Sequence, residues 1–77
     1  MRTLRVDAAW DEEASVWVAT SNDVRGLVTE AENLEKLRSK LIDLVPELLV
    51  ENDPGADRSS SLPVEIVATQ HLRIHPA

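Results

Sequence analysis

Apolar and polar positions alternate from the first residues onward. Leu4, Val6, Ala8 and Trp10 fall in one phase, and Thr3, Arg5, Asp7 and Ala9 in the other. A period of two predicts a strand over residues 2–10 with one face toward a core. Val16, Trp17, Val18 and Thr20 bring β-forming side chains to a second strand over 15–20. The intervening Asp11-Glu12-Glu13-Ala14 is short enough for an antiparallel hairpin. It has no Asn-Gly or Asp-Gly pair, so the register is not pinned by the turn; a one-residue slip would exchange Trp17 for Val16 and Val18 at the core. Ser21-Asn22-Asp23 breaks the second strand, Gly26 supplies a backbone conformation that other residues resist, and Leu27 to Glu30 reads as a third short strand.

The pattern then changes to steps of three and four. Leu34, Leu37, Leu41, Leu44, Val45, Leu48 and Leu49 build one apolar stripe, with Glu35, Lys36, Arg38, Lys40, Asp43 and Glu47 on the wet side. Asn33 is the expected N-cap, with Glu35 in the favourable first turn. Pro46 removes one backbone donor inside this stretch, and because the apolar period continues past it, a kinked helix is expected. Residues 51–62, with Asn52-Asp53-Pro54-Gly55 and Ser59-Ser60-Ser61, read as a flexible polar connector. Pro63 opens a last strand in which Val64, Ile66, Ala68, Leu72 and Ile74 alternate with Glu65, Val67, Thr69, His71, Arg73 and His75. Gln70 interrupts the apolar phase and is expected to mark a bulge.

These elements give one α+β domain over residues 1–77, ordered β-β-β-α-β. One helix can cover only one face of a three- to four-stranded sheet. The last strand follows a long crossover, so it should run parallel to the first and lie at a sheet edge. Unpaired edge groups invite another chain, and a homodimer or higher oligomer is expected, through this edge or across the open face.

The size of the chain sharpens that expectation. At 77 residues it buries only about 60% of its unfolded surface, and with no cysteine it has no disulfide to add stability. Its 14 acidic and 8 basic residues give a formal charge of −6. That argues against direct nucleic-acid binding, which needs a basic patch, and suits a basic protein partner. No apolar run approaches the length of a membrane span and no secretory leader opens the chain, so a cytoplasmic protein is expected.

Candidate chemistry is thin. Asp11, Glu12 and Glu13 are the densest carboxylates, but three in a row in a hairpin turn point different ways, which fits solvation better than a cation cage. His71 and His75 would share a helix face at zinc-binding spacing; on a strand they stand about 13 Å apart. The serines at 59–61 lack a base to activate them, and Asp7 alone cannot hold a two-metal centre. Trp10 and Trp17 have no basic groove beside them and read as core or interface anchors rather than base-stacking platforms. No catalytic, cofactor or metal residues are expected.

The run Trp10-Asp11-Glu12-Glu13-Ala14-Ser15-Val16-Trp17-Val18-Ala19-Thr20-Ser21, then Asp23 to Ala31 and Asn33 to Leu37, resembles the HicB-like antitoxin-related families, especially a short single-domain branch. Leu62-Pro63-Val64-Glu65-Ile66-Val67-Ala68 carries the same resemblance at the other end. It implies a partial ribonuclease H-like fold without the nuclease's acids. It also implies oligomerisation and a partner of the HicA type, a small basic RNA-cleaving toxin. Two departures stand out: Arg25 occupies the place of a usual Pro-Gly pair, and no DNA-binding module is seen after the last strand, so operator binding is not expected. The expected function is therefore non-catalytic protein binding, an antitoxin that occludes its toxin, with a toxin-free structural or regulatory homo-oligomer as the alternative. Val67, Thr69, His71 and Arg73 on the last strand are the candidate partner or dimer residues.

Overall fold

The structure is a computed structural model, and it describes residues 3–53, 55 and 62–76. Its elements are β1 (Leu4–Asp11), β2 (Val16–Thr20), β3 (Val28–Ala31), helix α1 (Leu34–Asn52) and β4 (Val64–Thr69). They form an α+β fold, one helix against a four-stranded mixed sheet in the order β3-β2-β1-β4. β1 and β2 are antiparallel with Trp10 opposite Trp17, and β2 pairs antiparallel with β3. β4 runs parallel to β1 at the edge, from Leu4–Val64 to Ala9–Thr69.

The hairpin register is set without a glycine turn. Asp11 Oδ1 accepts from the backbone N–H groups of Glu13 and Ala14, and Ser15 takes the left-handed conformation at φ 56°. The Trp10 and Trp17 rings then meet edge-on, centroids 5.5 Å apart, an arrangement aromatic pairs favour.

After β2 the loop continues the sheet by side-chain bonds. Ser21 Oγ donates to the Arg5 carbonyl, and the Arg5 N–H donates to Asp23 Oδ2 at 2.7 Å. Ser21 Oγ also accepts from the N–H groups of Asp23 and Val24, each at 3.0 Å. The loop thereby satisfies β1 backbone groups that β2 no longer reaches. It also delivers Val24 and Leu27 into the core, with Gly26 between them at φ 83°. A glycine was expected here for its conformation, and the positive φ is the reason one is needed.

Helix α1 starts as its sequence suggests: Asn33 Oδ1 accepts from the Lys36 N–H at 2.8 Å. It continues through Pro46 to Asn52. Pro46 and Ile42, whose carbonyl loses its partner, are both solvent-exposed, which limits the cost of the missing bond. Leu37, Leu41 and Val45 are buried against Leu4, Val6, Ala8, Ala19 and Ala31. The half-buried Trp17, Leu44, Leu48 and Leu49 pack around that cluster.

Several boundaries differ from the sequence reading; β1 runs on to Asp11, which was expected in the turn, and β2 begins at Val16 rather than at 15. β3 spans Val28–Ala31 rather than Leu27 to Glu30, because Leu27 is buried as part of the loop plug. Glu51 and Asn52 belong to the helix, not to the connector; of that connector, residues 54 and 56–61 lie outside the described residues. The last strand stops at Thr69, before Gln70, so the strand and bulge expected through His75 are absent. Alternation alone does not make a strand. A strand needs a hydrogen-bonding neighbour, and the ladder with β1 ends at Ala9–Thr69, close to where β1 enters its turn.

Candidate protein-binding face

The helix closes one face of the sheet and leaves the other bare. The registers place Arg5, Asp7, Ala9 and Asp11 of β1 on the bare face, with Val16, Val18 and Thr20 of β2, Val28 and Glu30 of β3, and Glu65, Val67 and Thr69 of β4. One transverse row reads Glu30, Val18, Ala9, Thr69; the next reads Val28, Thr20, Asp7, Val67. Val16, Val18 and Val67 are half-buried, while Val28 is 71% exposed. Asp7, Asp11, Glu30 and Glu65 stand among them with a single cation, Arg5, whose Nε donates to Asp7 Oδ1 at 2.9 Å. The face therefore interleaves valines with carboxylates: β2 presents Val16 and Val18, whereas β1, the other middle strand, presents Asp7 and Asp11 beside Ala9.

Of the four candidate residues, the structure brings Val67 and Thr69 onto this face and leaves His71 and Arg73 on the exposed segment beyond β4. His75 is exposed on the same segment. Among the described residues no group of three or more His, Cys, Asp or Glu is placed to hold a metal ion. The serines at 59–61 lie outside the described residues. A cleft of about 240 Å³ beside β3 is lined by Val16, Glu30, Ala31, Glu32, Lys36 and Lys40. Lys40 Nζ donates into it, to the Glu30 carbonyl at 2.6 Å, and Lys36 pairs with Glu32 at 3.1 Å. Of the two lysines, Lys40 alone reaches the edge strand, at the Glu30 carbonyl.

Val16, Val18 and Val28 were missing from the sequence-based candidates. A signal for two of them existed: Val16-Trp17-Val18 is apolar in both phases, the mark of a strand covered on both sides.

A family model described as a domain of unknown function, DUF1902, matches residues 3–75. The chain belongs to the DUF1902 family. It is also similar to a solved structure, the crystal structure of hypothetical protein TTHA1013 from the extremely thermophilic bacterium Thermus thermophilus. The two share 50% identity over 96% of this chain and 99% of that one, with a TM-score of 0.71. No curated protein matches the chain. The DUF1902 match covers the sheet, the helix and most of the segment after β4 together, so the bare face and the edge strand both lie within the matched region. No helix among the described residues is long and apolar enough to cross a membrane.

Proposed function

We propose that this DUF1902 chain is a non-catalytic protein-binding module. On this reading it acts as a HicB-like antitoxin whose bare sheet face covers a small basic RNA-cleaving protein. The observation that carries the reading is the bare face itself: half-buried Val16, Val18 and Val67 interleaved with four carboxylates and one guanidinium, on a chain of formal charge −6. Charge complementarity accelerates encounter with a basic partner, and burial of Val16, Val18 and Val67 sets the lifetime of the complex. Covering the toxin's basic surface excludes RNA by competition and requires no chemistry from this chain. The HicB-like resemblance of the hairpin, third strand and helix start supports the same partner class.

The test is capture from the native host followed by an RNA-cleavage assay. The reading expects a small basic protein that cleaves RNA alone and stops when this chain is added. Val67→Asp should abolish that protection while leaving the circular dichroism spectrum unchanged. A chain that captures no ribonuclease, or captures one without inhibiting it, refutes the antitoxin role. The exposed apolar segment after β4 favours a second reading, a homo-oligomer that functions without a toxin.

A further inference from the structure

The two outer edges of the sheet are treated differently. On β3 the Glu30 carbonyl accepts from the Lys40 ammonium. β4 is the other end of the strand order, and among the described residues nothing pairs with its outer edge. Natural sheets protect such edges, since an open one templates pairing with another chain.

The helix does not shield β4 either. Val64 and Ile66 share the phase of the buried Leu4 and Val6, yet they are 39% and 38% exposed. The chain then continues through residues 70–76, all exposed, with Leu72 at 72% and Ile74 at 81%. These seven residues could span about 23 Å if extended. They help explain a long axis of 58 Å and a radius of gyration of 14.7 Å, against about 11–12 Å for a compact domain of this length. An edge strand followed by an uncovered apolar arm lacks a partner that supplies both a strand and an apolar surface.

The segment from Val64 to Ile74 is itself complementary about its centre, Thr69. If two copies are laid antiparallel with Thr69 opposite Thr69, Val64 meets Ile74 and Ile66 meets Leu72. On the other side Glu65 meets Arg73 and Val67 meets His71. Every large apolar side chain of the helix-side phase then faces another apolar side chain, and the one acid faces the one arginine. Directly opposed pairs of these kinds, the central threonines included, are the stabilising unit of an antiparallel sheet. A shift of two residues in either direction would break the Glu65–Arg73 match, placing Glu65 opposite His71 or His75.

We propose that a second copy of this chain occupies the β4 edge, its residues 69–74 running antiparallel along residues 64–69 of the first, with Thr69 on the two-fold axis. Each arm lengthens the other copy's sheet by one strand, and the eleven-residue pairing contributes about ten backbone hydrogen bonds. The pairing adds strands at the β4 edge and leaves Val16, Val18 and Val28 of the bare face uncovered; Val67 alone is shared with the toxin-binding reading, so the cross-linking and charge-exchange tests below, which do not touch it, read this inference separately.

The absence of cysteine makes the register directly measurable. Paired residues across an antiparallel ladder lie within disulfide reach, whereas sites beyond about 7 Å do not bridge. Thr69→Cys should therefore cross-link to its own copy under mild air oxidation, while Gln70→Cys, displaced by two residues from its counterpart, should not. Light scattering on the full chain at micromolar concentration should give twice the 8.5 kDa chain mass. Arg73→Glu should weaken the dimer roughly tenfold or more, and Glu65→Arg combined with Arg73→Glu should restore it. A monomeric wild-type chain overturns the proposal. So does equal cross-linking of the two cysteine variants, or a charge exchange that fails to restore the dimer. Because Glu65, Thr69, Gln70 and Arg73 are all exposed, circular dichroism should show each variant folded.

Discussion

The two faces of β1 differ more than any other pair of surfaces in this molecule. On one side Leu4, Val6 and Ala8 lie at most 5% exposed beneath Leu37, Leu41 and Val45. On the other, the interleaved Arg5, Asp7 and Ala9 meet solvent and one another, with an ion pair in place of a packed layer. The same eight residues thus hold the fold together on one side and present it on the other. A domain this small has one helix available, and where that helix lies decides which face supplies stability and which is left for a partner. The edges repeat the contrast, with the Glu30 carbonyl of β3 held by Lys40 and, among the described residues, nothing paired with the outer edge of β4.

The sharpest way to break this comparison is to damage each face in turn. Leu37→Ala, at a fully buried position on the covered side, should cost about 2–5 kcal/mol, a large fraction of the stability of so small a domain. Urea unfolding measures it, and a loss below about 1 kcal/mol would mean the helix is not what closes the core. Val18→Asp, in the middle of the bare face, should do the opposite. Partner affinity should drop by about tenfold or more while stability falls by less than the Leu37 loss. If Val18→Asp unfolds the chain as readily as Leu37→Ala, the bare face is structural after all.

Smaller effects refine the same picture. Gly26→Ala should cost about 1–2 kcal/mol, because an alanine resists φ 83°. The new Cβ would sit 3.8 Å from Leu48 Cδ2, an ordinary contact, so the cost is conformational rather than steric. Thermal denaturation should show it as a drop in midpoint without loss of partner binding. Asp7→Asn on the bare face should change stability by no more than about 0.5 kcal/mol, since the Arg5–Asp7 pair is exposed to solvent and salt. A larger change in urea unfolding would show that the bare face contributes to the fold through its charges.

Most of the architecture was legible residue by residue. The period of two from Leu4 to Trp10 and the leucine stripe with its Asn33 cap follow from local rules, the edge position and parallel direction of β4 from the rule for long crossovers, and the structure shows each. The candidate site was legible only in part. Val67 and Thr69 reach the bare face, but His71 and Arg73 lie beyond the sheet, because the alternation that suggested a strand continues after the hydrogen-bonding neighbour has ended. Val16 and Val18 are apolar in both phases of their strand, but whether they or Trp17 face the helix, and whether Val28 is bare, depends on the register and on the side the helix occupies.

By itself, then, the order of residues determined what is local: the elements, their phases, the helix cap, the need for glycine at 26 and the acidic balance. Propensity, capping and periodicity act over a few residues and can be read there. Tertiary structure alone decided the Trp10–Trp17 register, the use of Ser21 and Asp23 to finish the sheet, the plug of Val24 and Leu27, and the exposure of β4 and its arm. Each of these depends on contacts between segments far apart in the chain. Such contacts form only where burial and hydrogen bonding outweigh the entropy of ordering the chain, and no single stretch of sequence contains that balance.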